Sequence, residues 1–305
     1  MGSHIAESLL KKDYQVRIFD KINVNKKNID HLVNDIELIE GDFNNEVDIK
    51  TALEGIDYII HLASATSPQP SYENPVYDLQ ANVIPTLCLL AQASKIKKIK
   101  RIIFSSSGGT VYGIPQTIPI DETHPTFPIC PYGISKLSIE KYIYYFNKIY
   151  GLNYIVLRIS NAYGERQNLH GIQGIIPVLL GKILENIEIE IWGDGKICRD
   201  FIYVKDVSDS VVKSVEAEYC NTIYNVGSGD ATSLNELLTL LEEVTGEKIR
   251  VRYTEKRAFD IPVNVLKIDK IRKELGWKPR ISLKEGLKTT WEYVKHESDM
   301  IAQRF

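Results

Sequence analysis

The chain has 305 residues, a formal charge of −3, 44% hydrophobic and 25% charged residues, the proportions of a globular protein with one large or two smaller cores. This balance excludes a disordered or fibrous chain and gives no basic surplus for nucleic acid. No apolar run approaches the ~20 residues that span a bilayer and no signal peptide is legible, so no membrane partner is expected and the cytoplasm is the expected location.

Taken in order, apolar β-branched runs at 14–19, 36–39, 58–62, 101–104 and 154–158 read as strands. Helical spacing at 4–11, 47–53, 76–94 and 132–150 falls between them. Such alternation predicts an α/β, doubly wound (Rossmann-like) parallel sheet with crossover helices on both faces. After Asn161 the rhythm changes to irregular segments rich in Gly, Asn and aromatics, then a helix at 204–215 and another beginning near Ser233. We therefore expect a dinucleotide-binding domain over 1–160 and, over 161–305, a smaller and partly interleaved substrate lobe. The basic run Lys95, Lys97, Lys98, Lys100 and Arg101 interleaves with Ile96 and Ile99 and reads as a solvated face. The four cysteines, Cys88, Cys130, Cys198 and Cys220, are scattered without a CxxC pair, as reduced thiols and not as metal ligands.

The opening Met1-Gly2-Ser3-His4 starts a helix directly after a glycine, and the strand that follows ends in Phe19-Asp20. In a doubly wound sheet that is the second half of the first βαβ unit, with Gly2 the last glycine of a phosphate-holding turn and Asp20 placed for the ribose hydroxyls of a dinucleotide. On this reading a strand and a Gly-rich loop, about 10–15 residues, belong upstream of Met1.

Tyr132 and Lys136 stand one helical turn apart, so the ammonium can approach the phenol and favour its ionised form. A tyrosine tuned in this way can take a proton from an alcohol being oxidised. The run Ser105-Ser106-Ser107 follows a buried strand and precedes Gly108-Gly109, which puts its hydroxyls at the carboxyl edge of the sheet, where ligands bind in this architecture.

Together with Gly41-Asp42-Phe43, His61-Leu62-Ala63, Val111-Tyr112-Gly113, Arg158 to Gly164, Trp192-Gly193-Asp194-Gly195-Lys196, Arg199-Asp200-Phe201 and Arg257-Ala258-Phe259-Asp260, these stretches resemble the extended short-chain dehydrogenase/reductase family, in its nucleotide-sugar epimerase and dehydratase branch. The resemblance implies Tyr132 as the catalytic base, Lys136 bonded to the nicotinamide ribose, and Ser107 as the partner of Tyr132, with Ser106 in contention because of the extra glycine. It implies NAD as cofactor, with NADP or NADPH open. Asp20 would hold the ribose, Asp42 and the Phe43 backbone the adenine, and Leu62 and Ala63 would pass under the pyrophosphate and nicotinamide. A nucleotide-sugar substrate would meet Ser107, Asn161, Arg199, Arg257, Asp260 and Asn264, the last leaving room for an N-acetyl group. Asp121 and Glu122 read as structural. Helices 76–94 and 132–150 correspond to those that pair in family homodimers.

The sequence favours the first of three activities, whose pattern fits most of the motifs. The first is a C4 epimerase of UDP-glucose or a UDP-N-acetylhexosamine serving polysaccharide synthesis; another is a 4-ketoreductase of a dTDP-4-dehydro-6-deoxy sugar. The third is an inactive sugar-nucleotide binder. Dehydratases of the family carry Thr-Asp-Glu where this chain has Ser107-Gly108-Gly109, which disfavours that branch.

Overall fold

The structure, a computed structural model, describes residues 1–171, 174–256 and 261–302, the last two without their side chains. Its central sheet is built from β3 (Tyr58–His61), β4 (Arg101–Ser107), β5 (Tyr154–Ile159) and β10 (Thr222–Val226), all parallel, in the order β10-β5-β4-β3. β1 (Val16–Asp20) and β2 (Ile36–Glu40) form a parallel pair of their own.

Period-two alternation assigns each strand residue to a face. Ile103, Ile155 and Leu157 face Ile5 and Leu9 of α1 (Gly2–Leu10), Val207 and Val211 of α8 (Val204–Glu216), and Trp277 just beyond α10 (Asp269–Leu275). Ile102, Phe104, Tyr154 and Val156 face the opposite cluster, with Ile49 and Leu53 of α2 (Glu46–Leu53), Leu90 of α5 (Ile84–Ala93), and Ile139 and Ile143 of α6 (Pro131–Tyr150). All six residues of β5 are buried, as a strand covered on both faces requires.

The helix expected over 76–94 runs without a break from Pro75 to Ala93, with one π turn inside it. Short α3 (Pro68–Glu73) and α4 (Pro75–Asp78) lead into a single π-helical turn, Leu79–Val83, before α5 begins. The cause is local: Asn82 donates its side-chain amide to the Asp78 carbonyl (2.9 Å), while the Thr86 hydroxyl caps the Asn82 carbonyl (2.6 Å). Arg101 also departs from expectation. It is buried, and its guanidinium closes the end of α8 by donating to the Ser214 and Ala217 carbonyls (2.5 and 2.8 Å).

A third apolar cluster lies mostly beyond residue 174. It joins Leu179 and Leu180 of α7 (Ile175–Leu184), Ile189 and Ile191 of β7 (Ile189–Trp192), Phe201 of β9 (Phe201–Tyr203), Leu237 and Leu241 of α9 (Leu234–Thr245), and Leu287 and Trp291 of α11 (Leu283–Ala302). Short strands knit this part: β6 (Asn161–Tyr163) pairs with β9, β12 (Val251–Thr254) with β7, and β8 (Cys198–Arg199) lies between β11 (Thr232–Ser233) and β13 (Val263–Asn264). Ser233 and Glu236 close the start of α9 in a reciprocal capping box, as the Ser before an apolar helical run foretold. Among the described residues no helix is long and apolar enough to cross a membrane.

Candidate active site

The parallel strands end along one edge, and the singled-out residues of the first half gather there. Asp20 closes β1 as an exposed carboxylate, accepting the Lys21 amide at 2.8 Å. Asp42 follows β2, also exposed; Asn44 donates to it through both backbone and side chain (2.8 and 3.0 Å), which holds its carboxyl below the usual range. Phe43 packs against Phe19 and His61, with ring centroids 6.1 and 5.4 Å apart. After β3, Leu62 is half-buried and Ala63 exposed, and a Cβ at Gly2 would stand 3.6 Å from Leu62 Cδ1, so the start of α1 lies against this loop.

His61 itself is buried, stacked on Phe104, with Nε2 2.8 Å from the Thr86 hydroxyl. Since that hydroxyl spends its proton on the Asn82 carbonyl, His61 must donate from Nε2. Burial, with Lys136 adding, drives its pKa down to about 3.

Beside it, β4 and α6 meet closely. Gly133 brings the start of α6 against the loop that follows β4, since a Cβ there would lie 3.0 Å from the Thr110 carbonyl oxygen. Lys136 is buried, donates to the Ser105 carbonyl at 3.0 Å, and lies 5.0 Å from the Phe104 ring centroid and 5.5 Å from that of Tyr132. Desolvation lowers its pKa to about 8 even though Asp78 and Glu140 oppose the fall.

The expected depression of the Tyr132 hydroxyl is not what this geometry gives. Burial, then Cys130 and Asp78, push it up to about 12, and only a hydrogen bond with Ser64 works the other way. The reason lies in where the ammonium points: it is over the ring and bonded to a carbonyl of β4, not bonded to the phenol oxygen.

The serine run divides. Ser106 points inward and donates to Glu140 at 2.5 Å, while Glu140 takes a two-pronged contact from Arg158 (Nε 3.1 Å, Nη2 2.6 Å). The Arg158 guanidinium stacks over Tyr112, 4.8 Å from its centroid, and Tyr112 donates to Asn225 at 2.6 Å. Ser106 is therefore committed to the interior, and Ser107, half-buried at the strand tip, is the hydroxyl left at the edge.

From the second half the structure brings Asn264 to this edge. Its side-chain amide donates to the Gly108 carbonyl (3.3 Å), and its Oδ1, buried, has no partner among the described residues. Arg199 faces Asn264 across the β8–β13 pairing and donates to the Cys198 and Ile261 carbonyls (2.9 and 2.7 Å). Asn161 donates to the Asp200 carbonyl at 3.0 Å. Arg257 and Asp260 lie outside the described residues. Glu122 accepts the Asn225 amide at 2.9 Å and Asp121 caps Thr123, both within the scaffold.

Sequence reasoning missed the buried carboxylates that hold this region. Asp200 accepts from Ser160, Ser228 and the amides of Gly229 and Leu266. Glu140 had a readable signal, one further turn along α6 from Lys136. Asp78 had none.

A parallel sheet edged with an acid at the end of β1 and a Tyr–Lys pair on the helix after β4 defines a Rossmann-type dehydrogenase architecture. The comparisons narrow it. Residues 1–290 match the family model described as GDP-mannose 4,6 dehydratase, and the chain belongs to this family, within the extended short-chain dehydrogenases/reductases. It is 38% identical over 299 residues to a Methanocaldococcus jannaschii protein provisionally named UDP-glucose 4-epimerase, covering 98% of this chain and 96% of that one. The UDP-glucose 4-epimerase of Thermotoga maritima, solved with UDP-glucose, superposes with a TM-score of 0.91 at 35% identity, covering 97% and 96% of the two chains. That of Thermus thermophilus, solved with NAD, gives 0.88 at 28% identity over 96% and 95%.

Proposed function

We propose that this protein is an NAD-dependent nucleotide-sugar 4-epimerase acting on a UDP-hexose or UDP-N-acetylhexosamine. The observation that carries the reading is the Tyr132–Lys136 pair, the first half-buried and the second buried beside the tip of β4, together with the exposed Asp20 and Asp42 at the ends of the first two strands, in a chain of the epimerase and dehydratase family. The residues present fit a dinucleotide: an acidic acceptor for a ribose diol at Asp20, a small apolar floor at Leu62 and Ala63, and an ammonium donor at Lys136. Bound there, NAD supplies the acceptor and donor of hydride.

Within this reading Tyr132 takes the proton of the sugar 4-hydroxyl and Ser107 hydrogen-bonds the same oxygen. Lys136 holds the nicotinamide ribose and keeps positive charge near the phenol. Residues 1–160 mainly hold the cofactor and 161–305 mainly the sugar nucleotide, through Asn161, Arg199, Arg257 and Asp260. The unpartnered Asn264 Oδ1 is an acceptor for a hydroxyl or amide N–H of the sugar. Gly108 and Gly109 carry no side chain, so this turn offers no carboxylate to act as acid or base, which disfavours dehydration. The exposed Tyr142, Tyr145 and Ile149 of α6 with Val76 and Leu79 favour a homodimer, which a monomeric mass in light scattering would refute.

The test mixes the protein and NAD with UDP-glucose and with UDP-N-acetylglucosamine, and follows products by NMR. A C4 epimer with no net change in reduced cofactor is expected. Consumption of NADPH or NADH with dTDP-4-dehydro-6-deoxyglucose, and no epimer, would make it the ketoreductase instead. Binding without turnover of either would leave a sugar-nucleotide binder.

A further inference from the structure

Asp78, at the end of α4, is fully buried and lies next to the π turn. Burying a carboxylate costs several kcal/mol unless donors surround it, and here the donors come from separate elements. One oxygen, Oδ2, accepts from Ser135 at 2.5 Å, and Ser135 sits on α6 between Tyr132 and Lys136. The other, Oδ1, accepts from Thr66, in the loop after β3, and from Asn82 Nδ2 at 3.2 Å. Asn82 extends the hold on that loop by donating to Thr66 (2.7 Å) and accepting the Ala65 amide (2.8 Å).

We infer that Asp78 is a positioning residue for the reaction: it ties the helix carrying Tyr132 and Lys136 to the loop after β3, and sets a fixed negative charge beside both side chains. The inference rests on the functional reading above. A neutral scaffold could join the same elements with less desolvation, so the charge itself calls for a use. Both side chains sense that charge. The other titratable groups against the pair are Cys130 on Tyr132, Glu140 on Lys136, and neutral His61 across from Lys136.

The experiment measures the pH dependence of turnover for wild type, Asp78→Asn, Ser135→Ala and Tyr132→Phe, with circular dichroism and NAD affinity for each. Asp78→Asn preserves size and an acceptor but removes the charge. Turnover should fall roughly ten- to a hundredfold with KM for the sugar nucleotide nearly unchanged. Both limbs of its pH profile should move to lower pH, by roughly 0.5–1 unit, because the negative charge that raised both groups is gone. A lower yield of folded protein with unmoved limbs would overturn the inference. If Asp78→Asn does not fold, Ser135→Ala, which cuts only the helix tether, should turn over more slowly with a native spectrum and native NAD affinity; wild-type turnover there would overturn it. Wild-type turnover by Tyr132→Phe would bring down the functional reading and the inference with it. An inactive Tyr132→Phe beside an Asp78→Asn with wild-type rate and profile would bring down the inference alone.

Discussion

The two ends of the candidate cleft are built by opposite means. At the β4–α6 end the supporting polar groups are buried and bonded to one another: Lys136 on the Ser105 carbonyl, Ser106 and Arg158 on Glu140, Ser135 on Asp78. At the β1–β2 end Asp20 and Asp42 stand in solvent, fixed only by their own turns. Groups that must meet a reacting bond need placement to a fraction of an ångström, and the low dielectric around them magnifies each charge. Groups that hold the far end of a cofactor need only present an acceptor, and water screens them. Rigidity is concentrated where chemistry would occur.

Substitutions can probe this contrast, and the largest effect belongs to Glu140. Glu140→Ala leaves the Arg158 guanidinium buried without its anion, and urea denaturation should show a loss of about 3–5 kcal/mol. A loss below about 1 kcal/mol would mean that water enters and the pair is not structurally dry.

His61 gives a smaller, pH-graded effect. Its folded pKa of about 3 lies below the unfolded value of 6.5, so its contribution is complete above pH 6.5 and drains away as pH falls toward 3. Between pH 7 and pH 5 the wild type should lose about 2 kcal/mol more than His61→Gln, in which nothing titrates. Parallel stability curves for the two would show that the imidazole becomes charged without resistance.

The smallest structural effect is expected at the open end. Asp20→Ala should weaken NAD binding about tenfold in calorimetry while the melting temperature stays within about 1 °C of wild type. A large drop in melting temperature would erase the distinction between the ends.

The contrast also explains what could be read in the sequence. The strands and helices of the sheet were legible because β5 and its neighbours are continuous apolar runs and α9 announces itself with Ser233 before Leu234. Tyr132 and Lys136 stood out only through their spacing taken together with the other motifs in order along the chain. What was not legible depends on where a side chain points after folding. Nothing in a run of three serines says that Ser106 turns in to Glu140 and Ser107 does not. A lysine four residues after a tyrosine does not reveal that its ammonium would settle over the ring. The π turn could not be foreseen either, since it arises from Asn82 and Thr86 bonding back to their own helix.

The core around β5 has a consequence for how the protein is made. Ile155 and Leu157 are sealed by Val207, Val211, Tyr224 and Trp277, and β10 supplies the outer hydrogen-bonding partner of β5. A ribosome that has released only the first half of the chain has released a sheet with one face covered by α1 alone and one edge open. That intermediate must be shielded until residue 277 emerges. A fragment cut near residue 160 should therefore precipitate instead of folding on its own.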